Sequence, residues 1–573
     1  MAGVLALVAL ALVGWFAGTP PGLPAWVPFA VAAIVAGRQW NSARRPWPRP
    51  SIDTLACLAI ALAYRAPALA DPWGWVNRDG AYGAFVGIHL RQGLRPAPAF
   101  TEGAHYQGTL KGHLAAALSL LGIEDWSLLM VMAGMLLSLV SVWAGMALAR
   151  RIAGRPAAII TGLYLALAPR FLIVFSLNSV GQYVDVLALG GAALALIARP
   201  AAVSGSGRGH AATCAAAGFL LGAAVWQQPV ALSYVAAAAF VLALRRGPGL
   251  AWAMAGFAVG VLPVVAWNVQ HGWASGDVMG RDPAELRAQA DAVPRLLRRT
   301  LTISFPILAG VAPGHPWADV VAARVVAVAL IPAALVTYLV LEARGIVASV
   351  RARAASPALL PMLLLLATVT LAWAAASGKV YWRPRYLLPV AAATAVHLGV
   401  ALGRLWTRSR MLSAIVTGAL LVLNVAGLAF PPGDGTTPRL FAGAEIAEPY
   451  AQLVRSLEGK GIRTGYADFS LSAPVTMFTG ERIVLSSRLG PTPAYESDRH
   501  AEAVARSGPD AYVLRAEDDP RAFAAVLDRL GVTYQMEIDP VPIFYRMSRR
   551  VAIEEVAGFR APDAGADEPG EDR

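Results

Sequence analysis

About thirteen apolar runs dominate the sequence, each of roughly 16 to 25 residues, which is the length that a helix needs to cross the ~30 Å hydrocarbon core of a bilayer. Only 15% of the residues are charged, whereas a soluble domain carries about a quarter. We therefore predict a mainly α-helical, polytopic membrane protein. The runs lie near 3–18, 23–37, 51–70, 124–149, 156–170, 183–199, 211–226, 229–244, 249–268, 322–341, 357–376, 386–403 and 411–430.

Every second connection between these runs is rich in arginine, and such connections favour the cytoplasmic side. This pattern predicts that the amino terminus faces inward and that the segment after the last run faces outward. It also accounts for the net charge of +12 through membrane topology, so we do not expect nucleic-acid binding. The basic connections lie near 38–49, 150–155, 199–208, 245–246, 344–353 and 404–410.

The sequence changes character after residue 430. The breaker cluster PPGDGTTP comes first. Three helix-like stretches, AEPYAQLVRSLEGKG, SDRHAEAVARSG and DPRAFAAVLDRLG, then alternate with four strand-like ones, IRTGYADF, ERIVLSS, AYVLRA and PIFYRM. We predict a transmembrane domain over 1–430 and a small extracytoplasmic α/β domain over 431–560. The acidic end, 561–573, is rich in Pro and Gly and predicts disorder.

The first external loop, about 71–123, is unusually polar for this chain and long for a simple connection, which predicts short interfacial helices around a site. Asp79 is the leading candidate, because a partly desolvated carboxylate can act as a general base. It is equally suited to cap the helix that follows, and the two roles are compatible. In the same loop, Tyr82, His105, Lys111 and His113 are candidate substrate contacts.

Several segments resemble the family 39 glycosyltransferases of the GT-C superfold, a group that includes protein O-mannosyltransferases and lipid A aminoarabinose transferases. The resemblance covers most of the chain from about residue 70 onward. It is carried by RDGAYGAFVGIHLRQG and YQGTLKGHLAAALSLLG in the first loop, by WQQPVAL at 226–232, by WNVQHGW at 267–273, by RPRYLLPV at 383–390, and by GIRTGYADF and GERIVLSS in the tail.

The resemblance implies an inverting hexosyl or pentosyl transfer, from a polyprenyl-phosphate donor to an external protein, lipid or glycan acceptor. It implies a bacterial inner-membrane protein, with Asp79 as the catalytic acid of the first loop. The family often has a second acid where this chain has Lys111, and its frequent first acid falls on Arg78. Those departures weigh against a metal site built from two carboxylates, and they allow Lys111 to contact phosphate instead.

Two further groups complete the predicted site. Asp185 stands at the outer start of the sixth run beside Gln182 and Tyr183, so it is either a second catalytic carboxylate or an acid that stabilises the helix N-terminus. Arg383 and Arg385, followed by Tyr386, lie in an external connection, where positive charge is unexpected. A donor phosphate would explain these arginines, and so would ordinary lipid headgroups.

Other functions stay open at this stage. The sequence contains no HExxH, CxxC or acidic cluster, so we assign no metal ligands and no certain cofactor, although a divalent cation is allowed. A transporter or lipid-linked sugar flippase is the alternative function. The sequence shows no internal repeat and no matched pair of interrupted helices to favour that alternative.

Overall fold

The computed structural model describes residues 51–76, 78–93, 99–102, 104–178, 180–199, 208–245, 247–277, 293–311, 321–351, 356–375, 384–429, 444–489, 497–556 and 559. The first two apolar runs, the predicted domain boundary at 430–431 and the acidic tail lie outside these residues. All eleven apolar runs from residue 51 onward are helical, as predicted.

The helices between Ile52 and Ala429 form a bundle. Their bounds are α1 (Ile52–Arg65), α2 (Arg78–Arg91), α3 (Leu110–Leu118), α4 (Trp126–Ala166), α5 (Arg170–Leu177), α6 (Tyr183–Ile197), α7 (Arg208–Gln227), α8 (Leu232–Leu244), α9 (Gly249–Gly260), α10 (Leu262–Gln270), α11 (Ala274–Asp277), α12 (Val293–Arg299), α13 (Phe305–Leu308), α14 (Val321–Arg351), α15 (Leu359–Ala375), α16 (Leu388–Trp406) and α17 (Arg410–Ala429).

Within the described ranges, six helices are long and apolar enough to cross a membrane, or seven if the bent pair α9–α10 counts as one span. Large apolar side chains on these helices are exposed, among them Ile52 at 78%, Val340 at 73% and Met411 at 76%. A water-soluble protein rarely leaves so much apolar surface uncovered, whereas lipid covers it at no cost. The chain is therefore an integral membrane protein.

The longest helix, α4, contains two of the predicted runs. It breaks at Ala153 and Gly154, and Gly154 has a φ of +79°, a conformation that glycine adopts without steric cost. The break falls within the arginine-rich connection 150–155. Two successive spans thus meet there as one helix with a kink.

The arginine-rich connections lie at one end of the bundle wherever the structure describes them. Arg404 donates to the carbonyl of Ile152 at 3.5 Å, and Arg245 donates to the carbonyl of Ile197 at 3.0 Å. These contacts join connections that are distant in sequence. The predicted cytoplasmic connections therefore lie on one side, which is the arrangement that the alternating arginine pattern requires.

The carboxyl-terminal part is the predicted small α/β structure. Its elements are α18 (Ala444–Gly459), β1 (Thr464–Ala467), α19 (Phe469–Phe478), β2 (Val484–Ser486), α20 (Asp498–Ser507), β3 (Ala511–Val513), α21 (Pro520–Arg529), β4 (Gln535–Ile538) and β5 (Pro542–Tyr545). The sheet has the order β2-β1-β3-β5-β4, with β1 parallel to β2 and β3, and β5 antiparallel to β3 and β4. The sequence pattern predicted four of the five strands and missed β4 and the helix α19.

This α/β part packs directly on the first loop through aromatic side chains. Trp73 stacks on Phe478 with ring centroids 4.1 Å apart and planes within 4°. Tyr82 of α2 lies against Phe469 at 5.6 Å, where α19 begins. Offset or stacked aromatic pairs add to the apolar area that such a contact buries. The sheet is therefore held on the helix that carries Asp79.

Candidate active site

Asp79 lies in the first turn of α2, and its side chain is partly exposed. The helix begins at Arg78, so Asp79 is inside the first turn rather than at the capping position, which was one of its two predicted roles. Backbone N–H groups at a helix N-terminus favour a nearby negative charge. The carboxylate is thus placed in a favourable field while it keeps access to solvent.

Arg385 belongs to a distant part of the sequence but lies within electrostatic range of Asp79. It lies in the short 3₁₀ turn Pro384–Leu387 that leads into α16, and its side chain interacts electrostatically with both Asp79 and Tyr183. Tyr183 in turn interacts electrostatically with Asp79. Three segments that are remote in sequence therefore place an acid, a guanidinium group and a phenol within electrostatic range of one another.

Two tyrosines line this meeting point. The Tyr183 and Tyr386 rings make an edge-to-face pair with centroids 6.4 Å apart, and the Arg385 guanidinium lies 5.6 Å from the centre of the Tyr386 ring. The Nε atom of Arg385 is buried and finds no hydrogen-bond partner among the described residues. An unpaired guanidinium N–H beside aromatic walls suits a phosphate, which accepts hydrogen bonds from arginine in a fixed geometry.

Lys111 and Asp185 form a second group, buried in the protein. The Lys111 Nζ lies 3.8 Å from Asp185 Oδ2, and both side chains are fully shielded from solvent. Lys111 also donates to the carbonyl of Asn178 at 3.4 Å. Neither carboxylate oxygen of Asp185 accepts a hydrogen bond from a residue that the structure describes. Asp185 thus faces Lys111, and Lys111 is paired with that acid.

Gln182 lies in the turn that leads into α6. It precedes α6 with a φ of +55°, directly after Gly181 with a φ of +63°. A left-handed conformation is uncommon for a residue with a side chain, and it persists where neighbouring contacts impose it. The side chain of Gln228 supplies one such contact, since its Nε2 donates to the carbonyl of Gly181 at 2.9 Å.

The remaining predicted substrate contacts have other near neighbours. His105 is exposed and stacks on Trp267 at 4.9 Å. The His113 Nδ1 donates to the carbonyl of Thr109 at 2.7 Å, within its own helix turn. Tyr82 is buried between α2 and α19, as described above. Arg383, which was predicted to join Arg385, lies outside the described residues.

Two glutamines of the WQQP run position the site, although the sequence analysis did not select them. The Gln227 side chain accepts from the N–H of Leu110 at 3.0 Å, and its carbonyl accepts from the N–H of Gly108 at 3.0 Å. Gln227 therefore fixes the start of α3, the helix of Lys111, while Gln228 fixes the turn before Tyr183. The signal was a pair of amides in an otherwise apolar run, where they need buried partners.

The bundle also encloses a mostly apolar cavity, which Arg65, Ser176 and Tyr234 help to line. The Arg65 guanidinium donates hydrogen bonds to the carbonyls of Leu165 and Ala166 at the end of α4. These bonds satisfy carbonyl groups that have no partner within the helix. Asp79 and Arg385 do not line this cavity. Its apolar walls make it unsuited to a sugar phosphate.

Helices α2 and α3 approach each other closely through glycines. A Cβ on Gly112 would lie 2.5 Å from the carbonyl oxygen of Gly83 and 2.8 Å from the Cβ of Val86. We expect Gly112→Ala to lower stability by about 1–3 kcal/mol, because extra volume forces the helices apart. Gly345→Ala is the matched control, since nothing lies within 4 Å of a Cβ there. Thermal unfolding in detergent measures both, and equal melting temperatures would contradict the close packing.

No protein-family model and no curated protein sequence matches the chain. Solved structures that resemble it include ArnT from Cupriavidus metallidurans in the apo state, with 16% identity, 84% of this chain and 97% of that one covered, and a TM-score of 0.49. The same protein bound to undecaprenyl phosphate is 15% identical, with 86% of this chain and 97% of that one covered and a TM-score of 0.48. The Archaeoglobus fulgidus oligosaccharyltransferase in complex with Zn and sulfate is 14% identical, with 86% of this chain and 72% of that one covered and a TM-score of 0.47.

Proposed function

We propose that this protein is a membrane glycosyltransferase that moves a sugar from a polyprenyl-phosphate donor to an acceptor on the extracytoplasmic side. The observation that carries the proposal is that Asp79 lies within electrostatic range of Arg385, whose guanidinium lies beside the paired Tyr183 and Tyr386 rings. A carboxylate that can accept a proton and a guanidinium that can hold a phosphate are the two groups that this transfer needs.

The reaction follows from the roles of these two side chains. The Asp79 carboxylate removes the proton from the acceptor hydroxyl, whose oxygen attacks the anomeric carbon of the sugar. The bond from that carbon to the phosphate oxygen breaks on the opposite face, and its electron pair leaves with the polyprenyl phosphate. The phosphate charge grows from one to two in this step, and Arg385 stabilises that growth. The configuration at the anomeric carbon inverts.

The location of the site fits a substrate that arrives from the bilayer. Arg385 immediately precedes α16, whose candidate span is 89% buried within the bundle, and the α/β part packs on α2 at the same end. The arginine-rich connections occupy the opposite, cytoplasmic end in the predicted topology. A lipid-linked phosphate would thus reach Arg385 at the outer membrane face, and the α/β part would be extracytoplasmic in an inner-membrane protein.

Replacing Arg385 tests the phosphate contact. We expect Arg385→Met to lower kcat/KM for the donor about 10- to 100-fold, because a charge-assisted hydrogen bond to a growing phosphate charge is lost. Arg385→Lys should fall between this variant and the wild type, since lysine keeps the charge without the fork geometry. Arg408→Met is the control, because Arg408 is exposed in a basic connection. Unchanged kcat/KM in Arg385→Met would remove the arginine from the donor site.

The function itself is tested with purified protein in liposomes that contain a polyprenyl-phosphate sugar labelled in the sugar. Bacterial membrane extract supplies the acceptor. Wild-type protein should move label out of the lipid-phosphate fraction and release unlabelled polyprenyl phosphate. If the labelled lipid only changes leaflet, and stays intact, the protein is a flippase and the proposal is wrong.

A further inference from the structure

A buried group of imidazole and carboxylate side chains joins α2 to the α/β part, away from Asp79. His89 Nε2 and His500 Nε2 each lie 2.7 Å from the same oxygen, Oε1 of Glu481. The three atoms lie within 4.8 Å of one another. The side chains of all three residues are at most 8% exposed. Atoms of ligand type from three separate segments thus converge on one point.

We propose that His89, Glu481 and His500 bind a Zn²⁺ ion that ties the helix of Asp79 to the α/β part. Two imidazole nitrogens and one carboxylate oxygen are a ligand set that Zn²⁺ favours. Tetrahedral coordination at usual bond lengths separates the ligand atoms by about 3.4 Å. Each His–Glu pair would open from 2.7 Å by about 0.7 Å to that spacing, which side-chain rotation supplies.

The surroundings of His89 are those of a metal ligand. Its second nitrogen, Nδ1, lies 3.3 Å from Oε1 of Glu102. Metal-bound histidines commonly direct the other ring nitrogen to a carboxylate, which fixes the ring and raises its basicity as a ligand. The Glu102 carboxylate is thus placed to orient the His89 ring as a ligand.

Charge balance supports a divalent cation. Glu102 and Glu481 together bring two negative charges into a largely buried group, and burial of unbalanced charge is costly. A Zn²⁺ ion compensates both while the two imidazoles bind as neutral ligands. The Phe85 ring covers the group, edge-to-face with the His500 ring at 4.6 Å, and this apolar cover excludes water.

The backbone and neighbours of Glu481 aim its carboxylate at the histidines. Glu481 has a φ of +64° and follows Gly480 at +56°, so two successive residues are left-handed. Such a conformation in a residue with a side chain is strained, and strain of this kind gathers at ligand sites. Gln92 Nε2 donates to the other carboxylate oxygen, Oε2, at 2.7 Å, which leaves Oε1 toward the imidazoles.

The proposal is independent of the proposed glycosyl transfer, since none of these side chains touches Asp79 or Arg385 in the contacts above. The test strips purified protein with a chelator, adds Zn²⁺, removes the excess and measures bound metal. We expect about one Zn²⁺ per chain in the wild type and a large loss in His89→Gln and His500→Gln. Glu102→Gln should weaken Zn²⁺ affinity about 10- to 100-fold. His271→Gln, at an exposed histidine, is the control.

Zn²⁺ should also raise the melting temperature of the wild type and of His271→Gln, but not of His500→Gln. X-ray absorption of the Zn²⁺-loaded wild type guards against variants that fail to fold, and it should show two imidazoles and only nitrogen and oxygen ligands. Equal Zn²⁺ content in the wild type and both histidine variants would overturn the proposal. So would a wild-type protein that binds no Zn²⁺.

Discussion

Asp79→Asn is expected to lower kcat for sugar transfer about 10²- to 10⁴-fold, with little change in the KM for the donor. The amide has the shape of the carboxylate but cannot accept the acceptor's proton. Because Asp79 is partly exposed, the substitution should leave the melting temperature near that of the wild type. Initial rates with the labelled polyprenyl-phosphate sugar give kcat and KM separately.

Glu124→Gln provides the matched control for this experiment, since it makes the same chemical change at an exposed acid after the same loop. It should transfer sugar at the wild-type rate. If Asp79→Asn transfers as fast as Glu124→Gln, then Asp79 is not the base. A parallel fall in both variants would point instead to a general effect of charge at the outer face.

Breaking the buried pair of Lys111 and Asp185 is expected to cost about 3–5 kcal/mol of stability in either single variant. Lys111→Met leaves the Asp185 carboxylate without its cation, and Asp185→Asn leaves a buried ammonium group without its anion. The double variant removes both charges, so it should be much more stable than the sum of the single losses predicts. Reversible unfolding in mixed detergent micelles measures this double-mutant cycle.

The exposed pair of Arg155 and Asp53 is the control for that cycle. Its Nε–Oδ2 distance is 2.7 Å, shorter than in the buried pair, but the arginine side chain is 65% exposed. Surface pairs of this kind contribute at most about 1 kcal/mol. If Lys111→Met and Asp185→Asn cost no more than Arg155→Met and Asp53→Asn, the buried pair does not hold the site together.

The sequence was most informative where one physical force acts alone. Hydropathy predicted the helices of all eleven apolar runs from residue 51 onward, because lipid demands long apolar helices. The alternating arginines predicted which connections meet at one end. Strand β4 was missed because all four of its side chains are exposed, so no alternation of buried and exposed residues marks it.

The site was predictable only in part, because its contacts are long-range. Asp79, Tyr183, Arg385 and Tyr386 were all selected from the sequence, and in the fold their charges and rings interact. The pairing of Lys111 with Asp185 could not be read from the sequence, since it depends on how α3 packs beside α6. The group of His89, Glu481 and His500 lay hidden for the same reason: its members come from a loop helix and from two positions in the α/β part.

The position of the phosphate in a structure of the complex with a polyprenyl phosphate tests the central claim most directly. The account predicts that the phosphate lies within hydrogen-bond distance of the Arg385 guanidinium, with the oxygen that carries the sugar turned toward Asp79. The lipid chain should leave the protein into the bilayer from that point. A phosphate bound at the arginine-rich end of the bundle, with Arg385 and Asp79 unengaged, would contradict the account.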